Sequence, residues 1–210
     1  MRPRRIKFNP AEVDRSAISE ALDVLARGGV VAYPTDTVYG LAAPATDRGA
    51  QAIMDLKGRP AAKPLLVALL DVPREGGWVD FLSPRVRHVV AVLWPQKISL
   101  LLPAGPDVPA LLRSSDGQVG LRRAADPVSR ALAAGLDGEV ITTSANLSGR
   151  GDGTDPDRIA RDLDFDLLLE MGPLGHDTLP TTLVDPVSKP VRILRQGAVS
   201  EERIHQLVGE

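Results

Sequence analysis

The alternation of apolar and polar positions divides the chain into short strand-like runs separated by helical stretches. Ile18, Leu22 and Leu25 recur at helical spacing within residues 16–27, and Gly28-Gly29 supply a stop before the apolar run at 30–33. This predicts a helix feeding a buried strand. Three further helix starts place a capping residue before a proline at the first helical position: Ser83-Pro84, Asp126-Pro127 and Asp155-Pro156. Strand-like runs lie at 65–70, 98–102, 118–121, 140–143, 167–169, 182–184 and 191–194, and Ser200 is placed to cap a last helix. Several of these strands follow one another without room for a crossover helix. The pattern therefore predicts an α/β protein with a mixed sheet and helices, not a regular βαβ repeat.

Length and composition narrow this picture. A chain of 210 residues with 43% hydrophobic content can bury one sizeable core, so residues 1–210 are expected to form a single domain. No apolar run approaches the roughly 18 to 20 residues of a membrane helix, and the start, MRPRRIKFNP, has no signal-peptide core. No membrane association and a cytoplasmic location are expected. Cysteine is absent, and His88, His176 and His205 show no metal-ligand spacing, so any metal should arrive with a ligand. A net charge of −2 and 3% aromatic residues argue against a phosphate-backbone footprint and against base-stacking platforms. Weak or no direct nucleic-acid binding is expected, which leaves small anionic ligands open.

Four polar segments interrupt the buried-strand pattern. The first, at 34–41, is PTDTVYGL; it reads either as a ligand-binding loop rich in hydroxyls or as a turn whose threonines bond their own backbone. The second, at 57–64, places Lys57, Arg59 and Lys63 within seven residues around Gly58, Pro60 and Pro64. A stiff loop of this kind can hold cations for a triphosphate, and it can equally be a solvated basic turn. The third, at 142–149, carries Thr142, Ser144 and Asn146 at a strand end, suited to phosphate contacts or to a simple cap. The fourth is scattered over Arg122, Thr181-Thr182 and Arg195-Gln196-Gly197. No G-x-x-x-x-G-K-[ST] phosphate loop occurs.

Taken in order, PTDTVYGL, KGRP followed by KPL, SANLSG at 144–149 and LRQGAVS at 194–200 resemble the YrdC-like family of threonylcarbamoyl-AMP synthases. Weaker matches are VGLR at 119–122 and TTLVD at 181–185. The resemblance implies a twisted mixed sheet with helices on both faces around a deep basic cavity. It implies L-threonine, bicarbonate or CO2, and ATP as substrates, with Mg2+ held mainly by the phosphates. The product, threonylcarbamoyl-AMP, would pass to a separate threonylcarbamoyl transferase that modifies tRNA. By the same resemblance Thr35, Arg122, Thr142 and Thr181 face threonine, while Arg59, Lys63, Ser144, Asn146 and Arg195 face ATP and Lys57 supports the site. No protein nucleophile is implied, because positioning and electrostatics can carry the reaction.

The chain departs from the family pattern at Gln96-Lys97, where a glycine and a proline are usual, and at Ser99, where threonine is usual. Thr143 replaces a proline, residues 123–127 replace a proline-rich stretch, and Thr181 replaces a serine. Only a short helix follows Gly197, as in the compact members that lack an extra C-terminal domain. Two rival readings share parts of this pattern. A YciO-type paralogue with weak or different nucleotide chemistry is suggested by Pro180-Thr181-Thr182, and a non-catalytic RNA-binding module could use the same basic cavity.

Overall fold

The computed structural model describes residues 3–9, 14–35, 38–58, 65–94, 96–147, 153–175 and 179–210. Ten strands form one sheet: β1 (Arg4–Lys7), β2 (Val31–Pro34), β3 (Tyr39–Pro44), β4 (Leu66–Leu69), β5 (Ile98–Pro103), β6 (Gln118–Arg123), β7 (Glu139–Ser144), β8 (Leu167–Glu170), β9 (Thr182–Asp185) and β10 (Arg192–Arg195). Their spatial order is β1-β8-β2-β3-β7-β4-β6-β5-β9-β10. The sheet is mixed, as the strand spacing predicts: β1/β8, β2/β8, β4/β6 and β5/β9 pair in parallel and the rest antiparallel.

Among the described residues six α-helices flank the sheet: α1 (Arg15–Ala26), α2 (Asp47–Lys57), α3 (Pro84–Leu93), α4 (Pro127–Ala134), α5 (Pro156–Asp162) and α6 (Glu201–Val208). Each proline-marked start forms as predicted, with Ser83 accepting from the Val86 amide, Asp126 from Ser129, and Asp155 from Asp157 and Arg158. Ser200 caps α6 through the Arg203 amide. These bonds satisfy amide groups that a helix start leaves unpaired.

Register decides which side chains share a face. Ala43, Ile141, Val67, Leu121, Leu100 and Val184 lie side by side across six strands and pack under α2, α3, α5 and α6 in the larger core. The opposite face begins equally apolar: Val31, Tyr33, Ala42 and Leu167 lie beneath α1 and α4. On that face the neighbouring strands then present Thr142, Leu66, Gly120 and Leu101 in one row, and Arg122, Ser99 and Leu183 in the next. At the edge of the α1/α4 cover, Thr142, Gly120, Arg122 and Ser99 thus interrupt the leucines. A concavity results there.

Three elements depart from the sequence reading. β1 has the charged sequence Arg-Arg-Ile-Lys and shows no alternation; it forms because the parallel partner β8 supplies the pairing. β3 takes Tyr39, Gly40 and Leu41 out of the expected polar loop and makes them the return strand of a hairpin with β2. α2 escapes the sequence reading because its few buried apolar residues, Ala50, Ile53 and Met54, are diluted by polar ones, although Thr46 caps it and Gly58, at φ 57°, ends it in the left-handed region that glycine tolerates.

Candidate active site

A cavity of about 150 Å³ occupies the concavity, with Leu66, Leu101, Gly120, Arg122 and Thr142 as its floor. Its rim comes from three chain segments: Thr35 and Val38 of the β2–β3 hairpin, Thr143 and Ser144 at the end of β7, and Pro180, Thr181 and Arg195 around β9 and β10. Gly120 keeps the floor low, since a Cβ there would stand 2.7 Å from Leu66 Cδ2. The lining among the described residues holds two arginines and no carboxylate, which favours an anionic ligand.

Six residues singled out by the sequence meet in this cavity: Thr35, Arg122, Thr142, Ser144, Thr181 and Arg195. Arg122 rises from β6 between Ala68 and Ser99 and is buried. Arg195 ends β10 and donates to the Thr181 carbonyl at 3.0 Å. Desolvation lowers its pKa below the usual arginine value, yet arginine remains charged.

The hydroxyls are held by specific partners. Thr35 Oγ1 donates to the Val38 carbonyl at 2.6 Å, across the β2–β3 hairpin. Thr35 thus bonds its own backbone, as the turn reading of this segment has it, and also lines the cavity. Thr181 Oγ1 lies 2.7 Å from Ser99 Oγ, in a buried contact. Thr142 Oγ1 lies 3.0 Å from Tyr33 Oη, which lies 3.1 Å from Ser129 Oγ. Burial, and then the Asp126 carboxylate, push the Tyr33 phenol up, while Arg122 opposes them.

Lys57 and Asn146 sit beside the cavity and not in its lining. Lys57 is the last residue of α2 and is buried; its ammonium donates to the carbonyls of Ser144 and, at 2.7 Å, Asn146. It braces the turn that follows β7. Asn146 donates from Nδ2 to the Leu147 carbonyl at 2.9 Å. Arg59 and Lys63 lie outside the described residues.

Sequence reasoning missed the groups behind the floor. Tyr33 was read as the end of a strand, Asp126 only as a helix cap, and Ser129 not at all. Tyr33 stands 96 residues from Ser129 and 109 from Thr142, and no local pattern reports such a separation.

Residues 23–197 match the profile of the Sua5, YciO and YrdC family, described as telomere recombination. A threonylcarbamoyl-AMP synthase of Bacillus subtilis strain 168 is 32% identical over 197 residues, 91% of this chain and 56% of that protein. One from Xylella fastidiosa strain M12 is 32% identical over 176 residues, 80% of this chain and 92% of that protein. The chain thus spans little more than half of the first relative and nearly all of the second. Sua5 of P. abyssi complexed with L-threonine superposes with a TM-score of 0.85 at 24% identity, over 100% of this chain and 62% of that one. YciO of E. coli gives 0.77 at 22% identity, over 96% of this chain and 97% of that one. At those identities the two structures speak for the fold alone.

Proposed function

Since the chain belongs to the Sua5, YciO and YrdC family, with the family profile running through every strand from β2 to β10, we propose that it is an L-threonylcarbamoyladenylate synthase. It would form threonylcarbamoyl-AMP and pyrophosphate from L-threonine, bicarbonate or CO2, and ATP. The observation that carries this reading is the convergence of Thr35, Arg122, Thr142 and Thr181 on one cavity with Ser144 and Arg195 at its rim. Its 150 Å³ falls below the roughly 300–1,000 Å³ of drug-sized pockets, which suits an amino acid and leaves ATP to lie at the mouth.

In this reading Arg122 receives the threonine carboxylate from the floor, and the hydroxyls of Thr35, Thr142 and Thr181 receive its amine and hydroxyl. The neutral amine adds to CO2 and loses one N–H proton to solvent, leaving a carbamate. A carbamate oxygen then attacks the α-phosphorus of ATP in line, and pyrophosphate leaves. Both reactants are anionic, so the work of the protein is alignment and charge compensation by Arg122, Arg195 and, from the sequence, Arg59 and Lys63. Ser144 and Asn146 belong to the nucleotide side, with Lys57 as their brace. Among the described residues no group of three or more His, Asp or Glu could hold a metal ion. Mg2+ would come with the triphosphate as part of the substrate.

The product would be handed to a separate threonylcarbamoyl transferase acting on tRNA, in the cytoplasm. No helix among the described residues is long and apolar enough to cross a membrane. A YciO-type activity is the second reading, favoured by Pro180-Thr181-Thr182. One assay separates them. Protein incubated with ATP, threonine and labelled bicarbonate should release pyrophosphate and yield a labelled adenylate only when threonine is present. Pyrophosphate release that ignores threonine would defeat the synthase reading.

A further inference from the structure

A chain of hydrogen bonds leaves the cavity floor and ends at the N-terminus of α4. It runs from Thr142 Oγ1 to Tyr33 Oη (3.0 Å), to Ser129 Oγ (3.1 Å) and to Asp126 Oδ2 (2.6 Å). The second carboxylate oxygen, Oδ1, accepts from the Ser129 amide at 2.8 Å. All four residues are buried, and of the four only Thr142 lines the cavity.

Proton counting fixes the direction of every link. Ser129 Oγ donates to Asp126 Oδ2, so its single hydroxyl proton is committed there. Ser129 Oγ can then only accept from Tyr33, whose single proton is used there. Tyr33 Oη in turn accepts, and the donor within reach is Thr142. The Thr142 proton therefore points away from the cavity. Burial holds Tyr33 in the protonated form that this direction needs.

We propose that Asp126, Ser129 and Tyr33 are positioning residues that hold Thr142 as an acceptor toward the cavity, where it receives an N–H of the amino-acid amine. This rests on the reading that the cavity takes an amino acid. A free hydroxyl at Thr142 could turn its proton inward and engage the amine lone pair. That pair must remain open to attack CO2, so the fixed polarity selects the productive contact.

Asp126→Asn tests the direction without changing shape. Asparagine caps a helix as well as aspartate does, but its NH2 would donate to Ser129 Oγ. Each link then reverses and the Thr142 proton enters the cavity. By calorimetry, the Kd for threonine should rise about tenfold or more, with the Kd for ATP unchanged. Tyr33→Phe cuts the chain, so the double variant should bind threonine no more weakly than Tyr33→Phe alone. Additive losses in the double variant, or an unchanged Kd in Asp126→Asn, would overturn the proposal.

Failure of the functional reading gives a different signal, since wild-type protein would then bind no threonine. The chain has two tyrosines, so 13Cζ-tyrosine labelling gives a Tyr33 resonance assignable through Tyr33→Phe. A Tyr33 signal displaced by Asp126→Asn supports the directed chain independently of any ligand. A signal that stays in place sinks it.

Discussion

The hydroxyls of Ser99 and Thr181 lie 2.7 Å apart in a buried contact between β5 and the residue preceding β9. By the resemblance, threonine is expected at 99 and serine at 181, so one position loses a methyl group and the other gains it. Within the structure they are a single exchange across one hydrogen bond. Volume-conserving swaps are the core changes best tolerated, which accounts for both departures together.

The pair makes a first prediction. Ser99→Ala leaves the Thr181 hydroxyl short of a partner and should lower stability by about 1–3 kcal/mol. Ser99→Thr combined with Thr181→Ser restores the usual arrangement and should cost less than about 1.5 kcal/mol. Urea unfolding at an unchanged m value measures both. A double swap as costly as Ser99→Ala would show that the hydrogen bond is not what couples the sites.

Lys57 makes a second. Its ammonium is buried against the carbonyls of Ser144 and Asn146, so its part is to hold the turn after β7. Lys57→Met strands those carbonyls and should cost about 2–4 kcal/mol of stability. The proposed nucleotide side moves with the turn, so the KM for ATP should rise more than that for threonine. Equal changes in both would point to general loosening.

Gly197 makes a third. A Cβ there would lie 2.2 Å from the Pro180 carbonyl oxygen and 2.6 Å from the Thr181 carbonyl carbon, both backbone atoms that cannot step aside. The neighbouring Ala198 amide donates to that same Pro180 oxygen at 2.9 Å, pinning the strand entry at the cavity rim. Gly197→Ala should cost about 1–3 kcal/mol or more and lower threonine affinity through Thr181. Thermal unfolding with and without threonine reads both effects.

The glycine of LRQGAVS shows how far the sequence carries. Its motif could be seen, but the reason for it is a contact with Pro180 and Thr181, which no local spacing reveals. Elements with their own punctuation were legible, as Ser83-Pro84, Asp126-Pro127 and Asp155-Pro156 show in three capped helices. β1 was not, because its pairing with β8 joins Arg4 to Leu167 and depends on nothing nearby. The cavity-facing hydroxyls were legible as residue types. Their donor and acceptor directions were not, since those are set by Val38, Ser99 and Tyr33.

Those directions bear on the choice of amino acid, the last prediction. Serine lacks one methyl group, worth about 1–3 kcal/mol, so it should react roughly 10- to 200-fold less efficiently than threonine. Valine keeps the branched shape and loses the hydroxyl. Had Thr35 or Thr181 depended on the ligand for its only partner, valine would be rejected by roughly 10⁴ to 10⁵-fold. Thr35 instead bonds Val38, and Thr181 bonds Ser99, so neither is left without a partner when the ligand hydroxyl is gone. What remains is one lost hydrogen bond and the desolvation of lone pairs, about 2–4 kcal/mol, or roughly 30- to 1,000-fold. Pyrophosphate release at subsaturating threonine, serine and valine reads both penalties. Valine reacting within about 10-fold of threonine would mean that the hydroxyl is not read. A valine penalty beyond about 10⁴-fold would mean that a pocket group does lose its only partner, and the internal bonds of Thr35 and Thr181 would not survive in the substrate complex.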